Sequence, residues 1–298
     1  ILKKGGLIIF PTETVYGIGG DATNWSAIKK IYEIKKRPLN NPIICHFKNI
    51  EAIEENFILN DIAYKLANKF WPGPLTLILE KKELSNICPN LSNQKNYVGC
   101  RIPSNSIAQE LLWNIDFPIA APSANISTKL SSTKVNHLSK KLKKEIFVLN
   151  GGRSLYGLES TIINVNNKNP KILRLGSITQ EQLNELIPDI VFENNHRFST
   201  SSPGQQKKHY APNLPIRINV NEVLDGEALL NFGKNKLKSN TIELNLSPKG
   251  DIEEAAKNLY DYLHKLDNSK CTGIAVAPIP NHNLGKTIND RLTRASAN

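Results

Sequence analysis

Methionine is absent from the 298 residues and cysteine is scarce. The four thiols, Cys45, Cys88, Cys100 and Cys271, nowhere form a C-x-x-C pair. That spacing gives no thiolate metal site; scattered thiols suit a reducing cytosol and read as small buried side chains. No apolar run approaches the ~18 residues that a membrane-spanning helix needs, and no signal peptide is visible. The chain opens at Ile1 without a methionine, so the expectation includes a missing start and any targeting segment lost with it. A P-loop is also lacking. Gly285-Lys286-Thr287 has its ending, but the required glycine five positions earlier is Pro280. Gly17, Gly19 and Gly20 have the wrong spacing for G-x-G-x-x-G. There are no internal repeats, no H-E-x-x-H, and no Ser-His-Asp or Cys-His signature. Any nucleotide must be held by a less common site, built for positioning and charge neutralisation instead of a covalent nucleophile.

What is present suits an ordinary globular protein of up to two domains, with 40% apolar and 22% charged residues. The net charge is +11. Such an excess draws polyanions such as RNA, or anionic substrates such as nucleotides, although it also fits a solvated surface.

Strands are expected at 7–10, 75–79, 98–102, 118–121, 147–149, 160–165 and 171–175. Helices are expected at 26–36, 61–70, 106–115 and 179–187, the last with Thr179 as its N-cap. The alternation predicts an α/β layer fold. Residues 194–215, rich in Ser, Asn, Pro, Gln and basic side chains, read as a linker. Strands at 216–220, 228–232, 241–244 and 273–277, with helices at 251–266 and 286–295, then form a smaller α/β domain. The expected domains are therefore 1–193 and 216–298.

Five motifs carry chemistry. Thr12-Glu13-Thr14-Val15-Tyr16-Gly17 leaves the C-terminal end of a strand, where open α/β sheets place ligands. Lys35, Lys36 and Arg37 close a helix. Alone they would compensate its dipole, but Asn41 and His46 follow within ten residues and can converge with them on phosphates or a carboxylate. Arg101, ending an apolar strand, needs an anionic partner, whether a substrate or an acidic side chain. Pro122-Ser123-Ala124-Asn125 suits phosphate contact through backbone N–H groups, or an ordinary turn. Glu159-Ser160-Thr161 opens a strand, and Arg174 closes the next.

In this order the motifs resemble the YrdC/Sua5 family of threonylcarbamoyl-AMP synthases. Ser202-Pro203-Gly204 and His209-Tyr210-Ala211-Pro212 resemble the linker of its longer Sua5 type, with Gln205, Gln206 and Lys208 departing from the usual pattern. The resemblance implies a YrdC-like twisted open sheet with a large basic cavity, a linker folding over the active site, and a smaller Rossmann-like domain. It implies that L-threonine, bicarbonate or CO2, and ATP give threonylcarbamoyl-AMP and pyrophosphate, for t6A modification of tRNA. Lys35 and Arg37 would be catalytic. Thr14, His46, Arg101, the Ala121 backbone and Ser160 would hold threonine or its carbamate. Lys35, Arg37, Asn41, Tyr97, Ser123, Ser131, Arg174 and Tyr210 would hold ATP. Mg2+ would ride on the phosphates with no protein ligand. A cytoplasmic location, a downstream threonylcarbamoyl transferase complex and weak tRNA binding complete the expectation. Two other readings remain at this stage. One is an RNA-binding module without nucleotidyl transfer; the other is a carbamoyl-transfer domain of the hydrogenase-maturation type, whose acylphosphatase and zinc-finger regions are missing.

Overall fold

A left-handed turn at Gly5 (φ 68°) ends a short 3-10 turn and releases the chain into β1 (Ile8–Phe10). The computed structural model describes residues 1–92, 96–193, 209–267 and 269–297. A threonine-rich loop returns the chain into β2 (Gly17–Asp21), antiparallel to β1 with Ile9 opposite Ile18. The sequence pattern does not announce β2, because three of its five residues are glycine, a poor strand former. Crowding at the centre of the sheet demands them. A Cβ at position 19 would lie 2.5 Å from Ile119, and one at position 20 would lie 2.8 Å from Leu7.

Helix α1 (Trp25–Lys35) starts where the Asn24 side chain accepts the Ala27 N–H. It stops at Lys36, which takes the left-handed region with φ 51°. This end sits two residues before Pro38, as the expected stop requires. There follow β3 (Cys45–His46), α2 (Ile50–Glu54), β4 (Phe57–Ile58), α3 (Asp61–Phe70) and β5 (Leu75–Lys81). Next come β6 (Tyr97–Arg101), α4 (Ser106–Trp113), β7 (Ile119–Ala120), α5 (Lys140–Glu145) and β8 (Phe147–Val148). The first sheet closes with β9 (Thr161–Asn164), β10 (Lys171–Arg174), α6 (Gln180–Asn184) and β11 (Val191–Phe192). Asn60 and Asn105 cap α3 and α4 through their side chains. Thr179 caps α6 in a reciprocal box with Gln182. Helix α6 ends at Asn184, three residues short of the expected boundary, where turn bonds from Leu186 and Ile187 to the Leu183 carbonyl take over.

The strands form one mixed sheet in the order β11-β10-β9-β5-β6-β3-β7-β2-β1-β8, with β4 added beside β5. A large apolar core packs α1, α3 and α5 against one face, through Ile28, Ile31, Leu66 and Leu142. A smaller one packs α4 through Ala108 and Leu112 against Phe10, Ile119 and Ala121.

The second sheet is all parallel: β12 (Ile216–Arg217), β15 (Gly273–Val276), β13 (Glu227–Asn231) and β14 (Glu243–Asn245), in that order. Helices α7 (Ile252–Asp267) and α8 (Leu284–Ala295) complete this layer. Its core joins Leu259, Tyr260, Leu263, Ile288 and Leu292 to Val15, Leu130, Leu158 and Tyr210, so apolar packing runs from the second layer to the end of the first sheet. The fold class is the α/β arrangement expected. Most of the expected linker, 194–208, lies outside the described residues.

Candidate active site

Loop ends at β1, β3, β6, β7 and β10, with the start of β9, surround one cleft. Thr14, Arg37, His46, Arg101, Ala121, Ser123, Ser160, Arg174 and Tyr210 line it, so nine of the expected site residues come together there. Thr12 builds the first wall. Its Oγ1 donates to the Val15 carbonyl at 2.6 Å and accepts the Thr14 and Val15 N–H groups. This hydroxyl turn bends the chain out of β1 and presents Thr14. Arg101 then spans the wall. It donates to Thr14 Oγ1 at 3.0 Å and to the Gly73 carbonyl at 3.2 Å, and pairs with the Glu13 carboxylate at 2.6 Å. The acid partner that a buried arginine requires is therefore Glu13.

His46 stands against the edge of Phe10, ring centroids 5.8 Å apart. Burial, then the neighbouring Arg101 charge, lowers its pKa to about 3, so the ring is neutral at pH 7. Its Nδ1 is buried and has no hydrogen-bond partner among the described residues. Ser160 shares a 2.7 Å hydrogen bond with Thr76, and Arg174 donates to the Ser160 carbonyl at 2.8 Å and to its hydroxyl at 3.0 Å.

On the opposite wall Arg37 folds back on its own turn. It donates to Asn41 Oδ1 and the Pro42 carbonyl, each at 2.6 Å. Burial is the main cause that brings its pKa down to about 10, so it stays charged at neutral pH. Burial, reinforced by Arg37, also pulls the Lys35 amine well below its ordinary value. Lys35 does not line the cleft. Its Nζ donates to the carbonyls of Ser123 (2.6 Å) and Asn125 and so ties α1 to the 122–127 loop. Asn41 sits behind Arg37, and Ser131 behind Glu159, to which it donates at 2.6 Å. Tyr97 packs with Ile44, Ile78, Ile162 and Leu173 in a separate apolar cluster. Lys35, Asn41, Tyr97 and Ser131 are thus outside the lining.

The Sua5/YciO/YrdC family model, described as "Telomere recombination", matches residues 1–176, and the model "Threonylcarbamoyl-AMP synthase, C-terminal domain" matches 178–297. The chain belongs to this family. A threonylcarbamoyl-AMP synthase of Bacillus subtilis is 33% identical, over 99% of this chain and 91% of the relative. The crystal structure of Pyrococcus abyssi Sua5 complexed with L-threonine superposes with a TM-score of 0.90 at 31% identity, covering 99% of this chain and 92% of that one. A P. abyssi Sua5 structure with a histidine and the following tyrosine both changed to alanine has a TM-score of 0.89 at 31% identity, covering 99% and 90%.

Within this Sua5-type cleft, Glu159 is the acid that the motif reading left without a role. It accepts from Ser131, from the Tyr260 hydroxyl at 2.9 Å and from Arg291 Nε at 2.9 Å. Burial raises its carboxyl, but Arg291, Arg174 and the Ser131 hydroxyl outweigh that and hold it at about 2. Arg291 and Tyr260 were missed altogether, although a signal existed. Arg291 lies on the apolar stripe of α8 between Ile288 and Leu292 and Ala295, where a lone solvated charge does not belong. His209 was noted only as part of a pattern; it lines the cleft beside Tyr210, ring centroids 3.9 Å apart.

Proposed function

We propose that this chain is an L-threonylcarbamoyladenylate synthase, a nucleotidyltransferase that joins L-threonine, bicarbonate or CO2, and ATP into threonylcarbamoyl-AMP with release of pyrophosphate. The observation that carries the reading is the meeting, in one cleft, of a hydroxyl and imidazole wall (Thr14, His46, Ser160) with three buried guanidiniums, Arg37, Arg101 and Arg174. The relatives' name and the L-threonine complex of P. abyssi Sua5 support it.

The threonine amine adds to CO2 to give a carbamate. One carbamate oxygen attacks the α-phosphorus of ATP, the bond to the bridging oxygen breaks, and pyrophosphate leaves with that electron pair. Nucleophile and triphosphate are both anionic, so bringing them together is the main electrostatic cost. In the proposal Thr14, His46, Arg101, the Ala121 backbone and Ser160 hold threonine and its carbamate. Arg37, Ser123, Arg174 and Tyr210 hold the nucleotide, and the arginines offset the repulsion in the transition state. Lys35, Asn41 and Ser131 act one layer back by fixing the 122–127 loop, Arg37 and Glu159. Tyr97, the remaining expected ATP contact, lies outside the lining and is assigned no contact with ATP. Orientation of the bound reactants supplies further rate, on the order of 7–11 kcal/mol in favourable cases. Mg2+ on the triphosphate would supply added charge neutralisation. The donors suit that arrangement, since Glu159, the carboxylate lining the cleft, is engaged with Arg291 and Glu13, beside the lining, with Arg101, leaving Arg37 and Arg174 to meet the phosphates.

The linker 194–215 is proposed to close over the cleft between domains 1–193 and 216–298. His209-Tyr210, at its described end, is the sole His-Tyr dipeptide of the sequence. The product serves t6A formation on tRNA through a downstream threonylcarbamoyl transferase, and a cytoplasmic location follows from that substrate. No described helix is long and apolar enough to cross a membrane.

The test is pyrophosphate release from ATP and Mg2+ by the purified full chain. Release that requires both L-threonine and bicarbonate is expected. Its absence in every condition, alongside salt-sensitive RNA binding, would replace this reading with the RNA-binding one.

A further inference from the structure

Arg291 heads the largest of the fully buried side chains. An apolar residue would fill the same space on α8 without desolvating a charge, so packing alone does not explain it. Nη1 of the guanidinium pairs with Asp290 of the same helix at 2.5 Å, and its other contacts point towards the cleft or its frame. Nε donates to Glu159 at 2.9 Å, Nη2 donates to the Leu175 carbonyl at 2.6 Å beside Arg174, and the plane lies 4.7 Å from the Tyr210 ring centroid. Tyr260, on α7, donates its hydroxyl to the same Glu159, and its ring stands 6.0 Å from that of Tyr210. Tyr210 itself is held in a backbone conformation that non-glycine residues rarely adopt, with φ 60°. Such a conformation persists only when its surroundings fix it. Here the His209 N–H donates to the Arg294 carbonyl of α8 at 3.2 Å and the Ala211 N–H to Thr128 at 2.8 Å. The Tyr210 hydroxyl, buried at the cleft, has no hydrogen-bond partner among the described residues.

We propose that Arg291 and Tyr260 are positioning residues of the synthase site. From the second domain they clamp Glu159 and press Tyr210 into the cleft, so that this domain forms the back wall of the nucleotide side. The inference rests on the synthase reading and gives the second domain a part in the reaction. Thr14, His46 and Arg101 make no contact with Arg291 or Tyr260 and Ser160 is held by Thr76 and Arg174, so threonine capture should depend on the clamp less than the nucleotide side does.

The test uses the full chain with Arg291→Lys and Tyr260→Phe. Lysine keeps a charge opposite Glu159 but loses the planar fork and the stack on Tyr210. Both variants retain a partnered Glu159, unlike Arg291→Ala, which could fail to fold. Expected in Arg291→Lys are a rise of about tenfold in KM for ATP, L-threonine affinity by calorimetry within about twofold of wild type, and amide exchange across 209–211 faster by about tenfold. Tyr260→Phe moves the same readouts less, because Arg291 still holds Glu159. In a Tyr210→Ala background, Arg291→Lys should lose most of its kinetic effect, since both act through one ring. Unchanged exchange at 209–211, additive effects in the double variant, or threonine affinity falling in step with ATP would each overturn the clamp. The exchange measurement needs no turnover. If the wild type releases no pyrophosphate, the synthase reading fails, and exchange still decides whether α7 and α8 hold Tyr210.

Discussion

In the proposed reaction Arg37 would be both frame and reagent. Its hydrogen bonds to Asn41 and Pro42 shape the turn after α1, while the buried side chain also lines the cleft with Arg174 and Tyr210. Removing it should therefore act on the transition state and on the loop together. Arg37→Ala is expected to lower kcat for pyrophosphate release by roughly a hundredfold, the scale of losing one preorganised charge at a developing anion. Arg37→Lys restores charge without the fork that meets Asn41 and should recover only part of the loss. Single-turnover pyrophosphate release measures both. Intact turnover in Arg37→Ala would take this residue out of the site.

Elements at a distance from the cleft should affect stability and leave the chemistry alone. Helix α3 depends on Asn60, whose side chain accepts the Ala63 N–H at 2.9 Å and donates to the Val165 carbonyl at 2.7 Å. Asn60→Ala removes a cap and a cross-link, each worth about 1 kcal/mol. The urea midpoint should fall by the equivalent of about 1–2 kcal/mol, with KM for ATP and threonine unchanged. A shift in KM would mean that α3 reaches the site. Helix boundaries of this kind were legible in the sequence, because caps, apolar stripes and prolines are local: α3 runs over the expected residues, and Thr179 caps α6 as expected. Strand β2 was not legible, because the crowding that demands its glycines comes from Ile119 and Leu7, remote in sequence. Strand β3, two residues long, offers too short a pattern to read. At the site, compact motifs brought Thr14, Arg37, His46, Ser123 and Ser160 to the cleft, with Lys35 and Asn41 behind it. Arg291 and Tyr260 were not legible, because their roles exist only once α7 and α8 pack over Glu159.

The whole molecule buries neutral imidazoles, and that fixes how it responds to acid. His46 is lowered to about 3 by burial and Arg101; His137 is lowered to about 3 by burial and by His264, whose ring stacks on it at 4.1 Å. His137 joins the first sheet's loops to α7, bonded to Asp261, which also pairs with Lys134 and Lys265. His209 and His264 are lowered in the same direction, chiefly by burial. Each is a base whose native pKa lies below its unfolded value of about 6.5. Above that value both states are neutral and the contribution to stability is fully present. As pH falls below 6.5 the unfolded chain takes up protons that the native state refuses, so stability is lost progressively, down to about 3 for His46 and His137. Glu159 and Asp261, each held near 2, add their own loss only as pH falls through the ordinary carboxylate range towards 2. Acid destabilisation should thus begin well above the carboxylates. Between pH 7.5 and 5.5, His46 and His137 together should remove about 3 kcal/mol, at up to ~1.4 kcal/mol per proton per pH unit. Urea unfolding at those two pH values measures the difference, to which His209 and His264 add, and His137→Gln should reduce it by about 1.4 kcal/mol. A pH-independent midpoint across that window would mean that both rings carry protons in the folded protein, with Asp261 stabilising a charged His137.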